Sequence, residues 1–339
     1  MDKQTYKFSN SSTDFYFDGS ISELKDIVDI KHTIVITDEN VFKAHTAKFK
    51  PFKTIVIPAG EKNKIQKTVD SIILQMIGFE ADRRSFIVGV GGGVVTDITG
   101  YVASIYMRGI RFGFVPTSLL GLVDASIGGK NGIDVGVYKN IVGFTKQPSF
   151  ILHDLTFLTT LPEVQWQNGF AEIIKHACIQ DADLFKELQS HDLKFYMTNK
   201  EETSALIQRN AQIKLNVVQH DEFEKAERRL LNFGHTLGHA LENQYKLMHG
   251  QAVSIGMVYA GHISEKQLRF KQNPLIKEVL EKYGLPTQFE FDKKKVFDIV
   301  KLDKKRDRKE MNYILLNKIG KATIETISLA QLEKFIGSL

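Results

Sequence analysis

Cysteine is almost missing from this chain. Cys178 is the single one among 339 residues, which excludes an internal disulfide and fits a reducing compartment. Long apolar runs are missing as well: nowhere do eighteen apolar residues follow one another, and the opening stretch MDKQTYKFSNSSTDF has no apolar segment of the kind a secretory leader needs. The expectation is therefore a cytoplasmic protein that does not span a membrane. Excess charge is small. A formal +5 on a chain of this size suits anionic small substrates as readily as nucleic acid, and no basic stretch is interleaved with aromatics as a nucleic-acid surface would be. Internal repeats and low-complexity segments are lacking. What is present, 42% hydrophobic and 25% charged residues, is ordinary for a soluble globular protein long enough for two domains.

The first half alternates strand and helix patterns. Residues 33–37 (TIVIT), 53–57 (KTIVI), 85–90 (SFIVGV) and 112–115 are short apolar or β-branched runs that predict strands. Helices are predicted over 41–49 and 65–77, the latter with Ile65, Val69, Ile72, Ile73 and Met76 at helical spacing. Such alternation indicates a mainly parallel sheet with helices on both faces, whose ligands sit beyond the carboxyl ends of the strands. Those ends carry Asp38 and Asn40, then Gly60-Glu61, then Gly91-Gly92-Gly93, then Thr117-Ser118. The triple glycine lacks the GxGxxG spacing, and glycines at a strand-to-helix turn are common. Polar groups gathered at four strand ends nonetheless favour a nucleotide, with its pyrophosphate against the following helix N-terminus. Residues 122–143 (LVDASIGGKNGIDVGVYKNIVG) are Gly-rich and aperiodic, a loop or short hairpin lining a cleft, with Asp124, Lys130, Lys139 and Asn140 available to an anion.

From about Pro162 helical patterns take over: 164–180, 201–220, 240–245 and 253–268, then a small hairpin at 313–316 and 322–326 and a closing helix at 329–335. The boundary is placed between residues 155 and 156. In the second half His235 and His239 stand four apart on one helix face, and His249 follows in a Gly-containing break. Three imidazoles within fifteen residues, with Arg228, Arg229, Asn232 and Glu242 beside them, suit a divalent metal with an anionic ligand. Spacing alone selects His235, His239 and His249 as the ligands. The basic run 301–309 (KLDKKRDRK) is either a solvated helix end or a segment closing over an anion.

Ten stretches, in order, carry a resemblance along nearly the whole chain: TDENV, PAGEKNK, GGGVVTDITGYVAS, MRGI, PTSLLGLVDASIGGKNGID, KNIVG, GFAEIIKHA, KLNVV, LNFGHTLGHALE and HGQAVSIGM. The chain resembles the 3-dehydroquinate synthases. The resemblance implies an α/β N-terminal domain with a mainly parallel nucleotide-binding sheet, a mainly helical metal-binding C-terminal domain, and a site in the cleft between them. It implies NAD and a divalent metal, Zn2+ or Co2+, with Glu172, His235 and His249 as ligands, while His239 faces the substrate phosphate. The implied substrate is 3-deoxy-D-arabino-heptulosonate 7-phosphate, in which a ring carbinol is transiently oxidised, phosphate is eliminated, the ketone is reduced again, the ring opens and an intramolecular aldol closes the carbocycle. NAD is then a catalyst and is not consumed.

By the same resemblance, Asp124, Lys130, Lys175, Lys214, Arg228, Asn232 and His239 line the substrate pocket, joined by Lys139, Asn140 and Lys304. The cofactor falls to Asp38, Asn40, Glu61, Lys64, Gly92, Gly93, Val94, Asp97, Thr117, Ser118, Lys130, Lys139, Phe157 and Thr160. Arg108, on the MRGI turn, reaches a neighbouring subunit's substrate phosphate, which implies a homodimer. Three departures stand out. Gln251 replaces the Glu that usually follows His249-Gly250, Val137-Tyr138 stand where a glycine is common, and the segment around Lys304 lacks a downstream glycine, leaving Lys304 and Lys305 both open. Competing readings are a sugar-phosphate cyclase of different substrate, a metal-dependent glycerol or alcohol dehydrogenase, and a nucleotide-binding protein without catalysis. Asn232 with His239 argues against the first, the lysine-rich substrate loop against the second, and the intact metal and pocket positions against the third.

Overall fold

The run Thr33–Asp38 forms a strand buried along nearly its whole length, because both faces of the sheet it belongs to are covered. In the computed structural model, which describes residues 1–136, 138–302 and 309–337, the chain divides into two units. The first holds residues 1–165 together with 200–223, and the second 166–199 and 224–339.

In chain order the strands of the first unit are β1 (Asp2–Lys7), β2 (Ser12–Phe17), β3 (Thr33–Asp38), β4 (Lys53–Ile57), β5 (Phe86–Gly91), β6 (Arg111–Pro116), β7 (Lys130–Val135), β8 (Tyr138–Thr145) and β9 (Phe150–Leu152). Seven of them make one sheet in the order β1-β2-β9-β6-β5-β3-β4, parallel except for the antiparallel β1–β2 pair at its edge. Alternation along β3 sends Ile34 and Ile36 to one core, shared with Val69, Ile72 and Ile98 of the helices Gln66–Gly78 and Gly93–Ile105. Val35 faces a second core with Leu24, Phe49 and Phe157. The predicted strands and the helix over 65–77 are all present, but the helix expected over 41–49 is two short ones, Glu39–Ala44 and Thr46–Phe49, broken at His45 (φ −131°, ψ 32°). Strand β1 has no hydrophobic signature because it is an exposed edge, and β9 is three residues long.

The expected boundary at 155/156 and the observed division differ most at residues 200–223. The helix Lys200–His220 belongs with the sheet because its Ala211 and Leu215 enter the first core and its Lys214 ammonium donates to the Asp124 carbonyl at 2.7 Å. Residues 122–143, expected as a loop or hairpin, form a π-helical turn (Gly121–Ala125) followed by the antiparallel ribbon β7–β8.

The second unit is mainly helical. It takes the helix Glu163–Gln180 from Trp166 onward, then His235–Tyr245, His249–Leu268, Asn273–Lys282, Lys293–Leu302 and Leu329–Gly337, with shorter helices at Ala182–Ser190 and Leu193–Thr198. A ribbon of β10 (Glu310–Lys318) and β11 (Lys321–Ser328) joins the central helix through the Leu316 N–H, which donates to Ser264 Oγ at 3.0 Å. Among the described residues no helix is long and apolar enough to cross a membrane.

Candidate active site

In the first unit the ends of β3, β4, β5 and β6 bring their polar residues to one edge of the sheet, as parallel topology requires. Asp38 Oδ1 accepts from the N–H of Asn40 (2.9 Å) and of Val41 (3.1 Å), and burial raises its pKa above the usual carboxylate value. The glycines after β5 do different jobs. A Cβ on Gly91 would lie 2.5 Å from Val95, so this residue lets strand and helix meet, whereas one on Gly92 would meet only Ser118, at 3.3 Å. Gly92 caps a thirteen-residue helix without a side chain over its amides, the arrangement a pyrophosphate requires. Ser118 Oγ itself accepts from the Gly121 N–H at 3.1 Å.

Glu61, Lys64, Asp97, Lys139 and Asn140 are knitted together. The Lys64 ammonium lies 2.5 Å from Asp97 and also donates to Asn140 Oδ1, and Lys139 stands 3.7 Å from Glu61. Lys64 is 4% exposed. Burial opposes its charge, but Asp97 and then Glu61 outweigh it and hold the ammonium above the ordinary lysine value. The Asp134 N–H donates to the Lys64 carbonyl at 2.8 Å and the Asn140 N–H to Asp134 Oδ1 at 2.7 Å, which tethers the β7–β8 ribbon to this cluster. Asp124 pairs with Lys214 at 2.7 Å, and Lys130 is exposed at the start of β7.

Phe157 is a core residue, 2% exposed, whose ring meets His45 edge-on at 4.7 Å, while Thr160 Oγ1 lies 2.7 Å from His45 Nε2. His45 carries no local sequence signal, since the pattern reads as one helix over 41–49 and the break at His45 is a feature of the fold. Arg108 is exposed on a turn in which Met107 (φ 48°), Arg108 (φ 66°) and Gly109 (φ 117°) are all left-handed.

In the second unit Glu172, His235 and His249 come together: one ligand atom from each lies within 4.8 Å of the others. Glu172 is fully buried. His249 Nε2 is 3.0 Å and His235 Nε2 3.5 Å from its Oε1, while the Lys175 ammonium contacts Oε2. Both imidazoles are held from behind. His235 Nδ1 lies 3.1 Å from the Phe233 carbonyl and His249 Nδ1 3.6 Å from Glu242. With the protons on Nδ1, the two Nε2 lone pairs and a carboxylate converge, which is the donor set and outer support that zinc-type sites use. Burial drives His235 well below the usual histidine range. His249 also feels burial, but Glu172 and Glu242 raise it to about 10.

His239, Glu242 and His249 form a second set within the same limit. In it the carboxylate approaches the Nδ1 side of His249, which suits an orienting partner better than a ligand. The spacing-based choice of three histidines thus has a carboxylate-containing rival at each end. Lys175 and Arg228 are buried, 1% and 3% exposed, and Asn232 Nδ2 donates to Glu224 Oε1 at 2.6 Å. Gln251 Oε1 accepts the Met248 N–H at 3.1 Å, capping the helix on which His249 is the first residue, a task that needs no charge. Lys304, Lys305 and Val137 lie outside the described residues.

Known proteins match the chain along most of its length. The family described as 3-dehydroquinate synthase matches through its N-terminal part at residues 54–168 and its C-terminal part at residues 169–306. A 3-dehydroquinate synthase of Pyrococcus abyssi is 39% identical over 287 residues, 84% of this chain and 85% of its own length. One from Thermoanaerobacter pseudethanolicus is 35% identical across 99% of this chain and 100% of its own. Among solved structures, a 2-epi-5-epi-valiolone synthase from Streptomyces hygroscopicus with NAD+ and Zn2+ bound superposes with a TM-score of 0.87 at 26% identity, covering 99% of this chain and 98% of its own. A 2-deoxy-scyllo-inosose synthase complexed with carbaglucose-6-phosphate, NAD+ and Co2+ has a TM-score of 0.86 at 24% identity, covering 99% of both chains, and shares the fold. With both halves of the family pattern matched and full-length relatives above a third identical, the chain belongs to the 3-dehydroquinate synthase family.

Proposed function

We propose that this protein is an NAD- and divalent-metal-dependent 3-dehydroquinate synthase that converts 3-deoxy-D-arabino-heptulosonate 7-phosphate to 3-dehydroquinate and phosphate. The observation that carries the reading is the aim of His235 Nε2 and His249 Nε2 at one oxygen of the buried Glu172, with both Nδ1 atoms supported from behind. Glu172, His235 and His249 would hold a divalent metal, Zn2+ or Co2+, which supplies Lewis-acid polarisation of a substrate hydroxyl. Asp38, Gly92, Gly93, Thr117 and Ser118, with Lys64 and Asp97 beside them, would hold NAD, which supplies a reversible hydride acceptor.

The remaining residues bind and orient. In the second unit Lys175 and Arg228 place buried basic groups toward an acidic substrate, and Asn232 and His239 offer hydrogen-bonding groups, His239 to the departing phosphate. In the first unit Lys214, held by Asp124, and Lys130 serve the substrate's carboxylate and hydroxyl groups. Lys139 and Asn140 are carried on the tethered ribbon.

We assign the protein to the cytoplasm, where a lone buried thiol such as Cys178 is at home. We also propose a homodimer, a reading supported by Arg108, whose exposed side chain is presented by a left-handed turn, and by the apolar Met107, Ile141 and Phe144 exposed in the same unit.

The test is catalytic use of the cofactor. Purified protein given the heptulosonate phosphate and a trace of NAD+ is expected to release phosphate over many turnovers with no lasting rise in NADH absorbance. One NADH per substrate consumed would mark a dehydrogenase and refute the proposal.

A further inference from the structure

The helix His249–Leu268 approaches two other helices at the level of backbone, and each approach is made at a glycine. Toward His235–Tyr245, a Cβ on Gly256 would lie 1.9 Å from the Gly234 carbonyl oxygen and 3.1 Å from the Gly238 amide nitrogen. Those two glycines directly precede His235 and His239. In return, a Cβ on Gly234, at φ +80°, would meet the Val253 carbonyl oxygen at 2.8 Å, and one on Gly238 would meet the Ala252 carbonyl oxygen at 3.0 Å. Toward Glu163–Gln180, a Cβ on Gly250 would lie 2.7 Å from Asn168 Cα, one turn before Glu172. The Gly250 N–H donates to the Asn168 side-chain oxygen. Most of these opposing atoms are backbone, so no rotamer change can relieve a methyl group placed there.

We propose that Gly250 and Gly256 are positioning residues for the metal: they set the separation of three helices so that Glu172, His235 and His249 converge on one ion. The inference rests on the metal reading above and adds residues that never touch the ion. Gly250 follows His249 directly, and Gly256 lies seven residues on, two turns along the same helix face. Packed helices move as nearly rigid bodies, so a change in their separation passes to the ligand atoms almost undiminished. A methyl on Gly256 would have to drive the helices apart by about 1.5 Å to restore ordinary contact. Metal–ligand distances tolerate about 0.2 Å. The geometry would therefore be lost several times over while the fold itself survives.

Gly261 supplies the control. It lies on the same helix, and its Cβ would lie 1.9 Å from the Asn273 side-chain oxygen, away from the three ligands. Zn2+ affinity is measured by competition with a chromophoric chelator, and the Co2+-loaded proteins are compared by visible absorption. Gly256→Ala and Gly250→Ala are expected to weaken Zn2+ binding by about 10–100-fold and to alter the Co2+ spectrum, with far-ultraviolet circular dichroism and NAD+ binding unchanged. Gly261→Ala is expected to lower the thermal midpoint while keeping wild-type Zn2+ affinity. Should Gly256→Ala fail to fold, Gly238→Ala, which needs a shift of only tenths of an ångström, decides in the same direction with a smaller loss. A folded variant of the first group with wild-type affinity and spectrum, or an equal loss in Gly261→Ala, overturns the inference. Wild-type protein that binds no Zn2+ overturns the metal reading instead, so the two failures are distinct.

Discussion

Replacing Glu172 by Gln keeps the shape of a fully buried side chain and removes its charge. Glu172 Oε1 faces two imidazole nitrogens at 3.0 and 3.5 Å, and Oε2 faces the Lys175 ammonium. An amide can offer an acceptor to one side only and must turn its NH2 toward the other, where a cation or a metal already stands. Two losses follow. Metal affinity should fall by more than the about 100-fold that loss of a merely supporting group causes. The ion-free protein should also be destabilised, because Lys175, 1% exposed, loses this carboxylate; breaking a buried pair from one side costs about 3–5 kcal/mol. Elemental analysis after gel filtration reads the first, and urea midpoints of chelator-treated wild type and Glu172→Gln read the second. His239→Ala is the companion: it should keep near-stoichiometric metal and bind NAD normally, yet turn over about 10²–10⁴-fold more slowly. If His239→Ala emerges metal-free and Glu172→Gln stays loaded, His239 and not Glu172 is the ligand, as the spacing of the three histidines selects, and the carboxylate assignment is wrong.

Two further outcomes are expected. Arg108→Ala should fold and keep its metal while binding substrate far more weakly, and mixing it with Lys130→Ala should restore activity through hybrid dimers; no restoration despite proven subunit exchange would show that each site is built from one chain. His153 is 1% exposed, neither ring nitrogen has a hydrogen-bond partner among the described residues, and burial lowers it to about 3. Its folded value lies below the unfolded value of 6.5, so between the two the unfolded chain takes a proton that the folded chain refuses. Stability should therefore fall as pH drops through that window, by about 1.4 kcal/mol per unit from this group alone. His153→Leu should flatten the dependence of the urea midpoint on pH by about one proton, and identical slopes would refute the assignment.

Much of this was legible in the chain. The runs at 33–37, 53–57, 85–90 and 112–115 announced a parallel sheet because strands covered on both faces must be apolar throughout. Their polar ends announced the ligand edge because chain direction fixes which end of a parallel strand is which. Local pattern was silent about β1, an edge strand that buries almost nothing, and about the return of residues 200–223 to the sheet unit, which depends on which core receives Ala211 and Leu215. The candidate metal ligands show the same division. Helical periodicity sees neighbours at three and four residues, so it found His235 beside His239. It could not find Glu172, sixty-three residues earlier, because that partnership is made by the contact of separate helices, and only the tertiary structure, through glycines that let their backbones touch, decides which side chains arrive at one point.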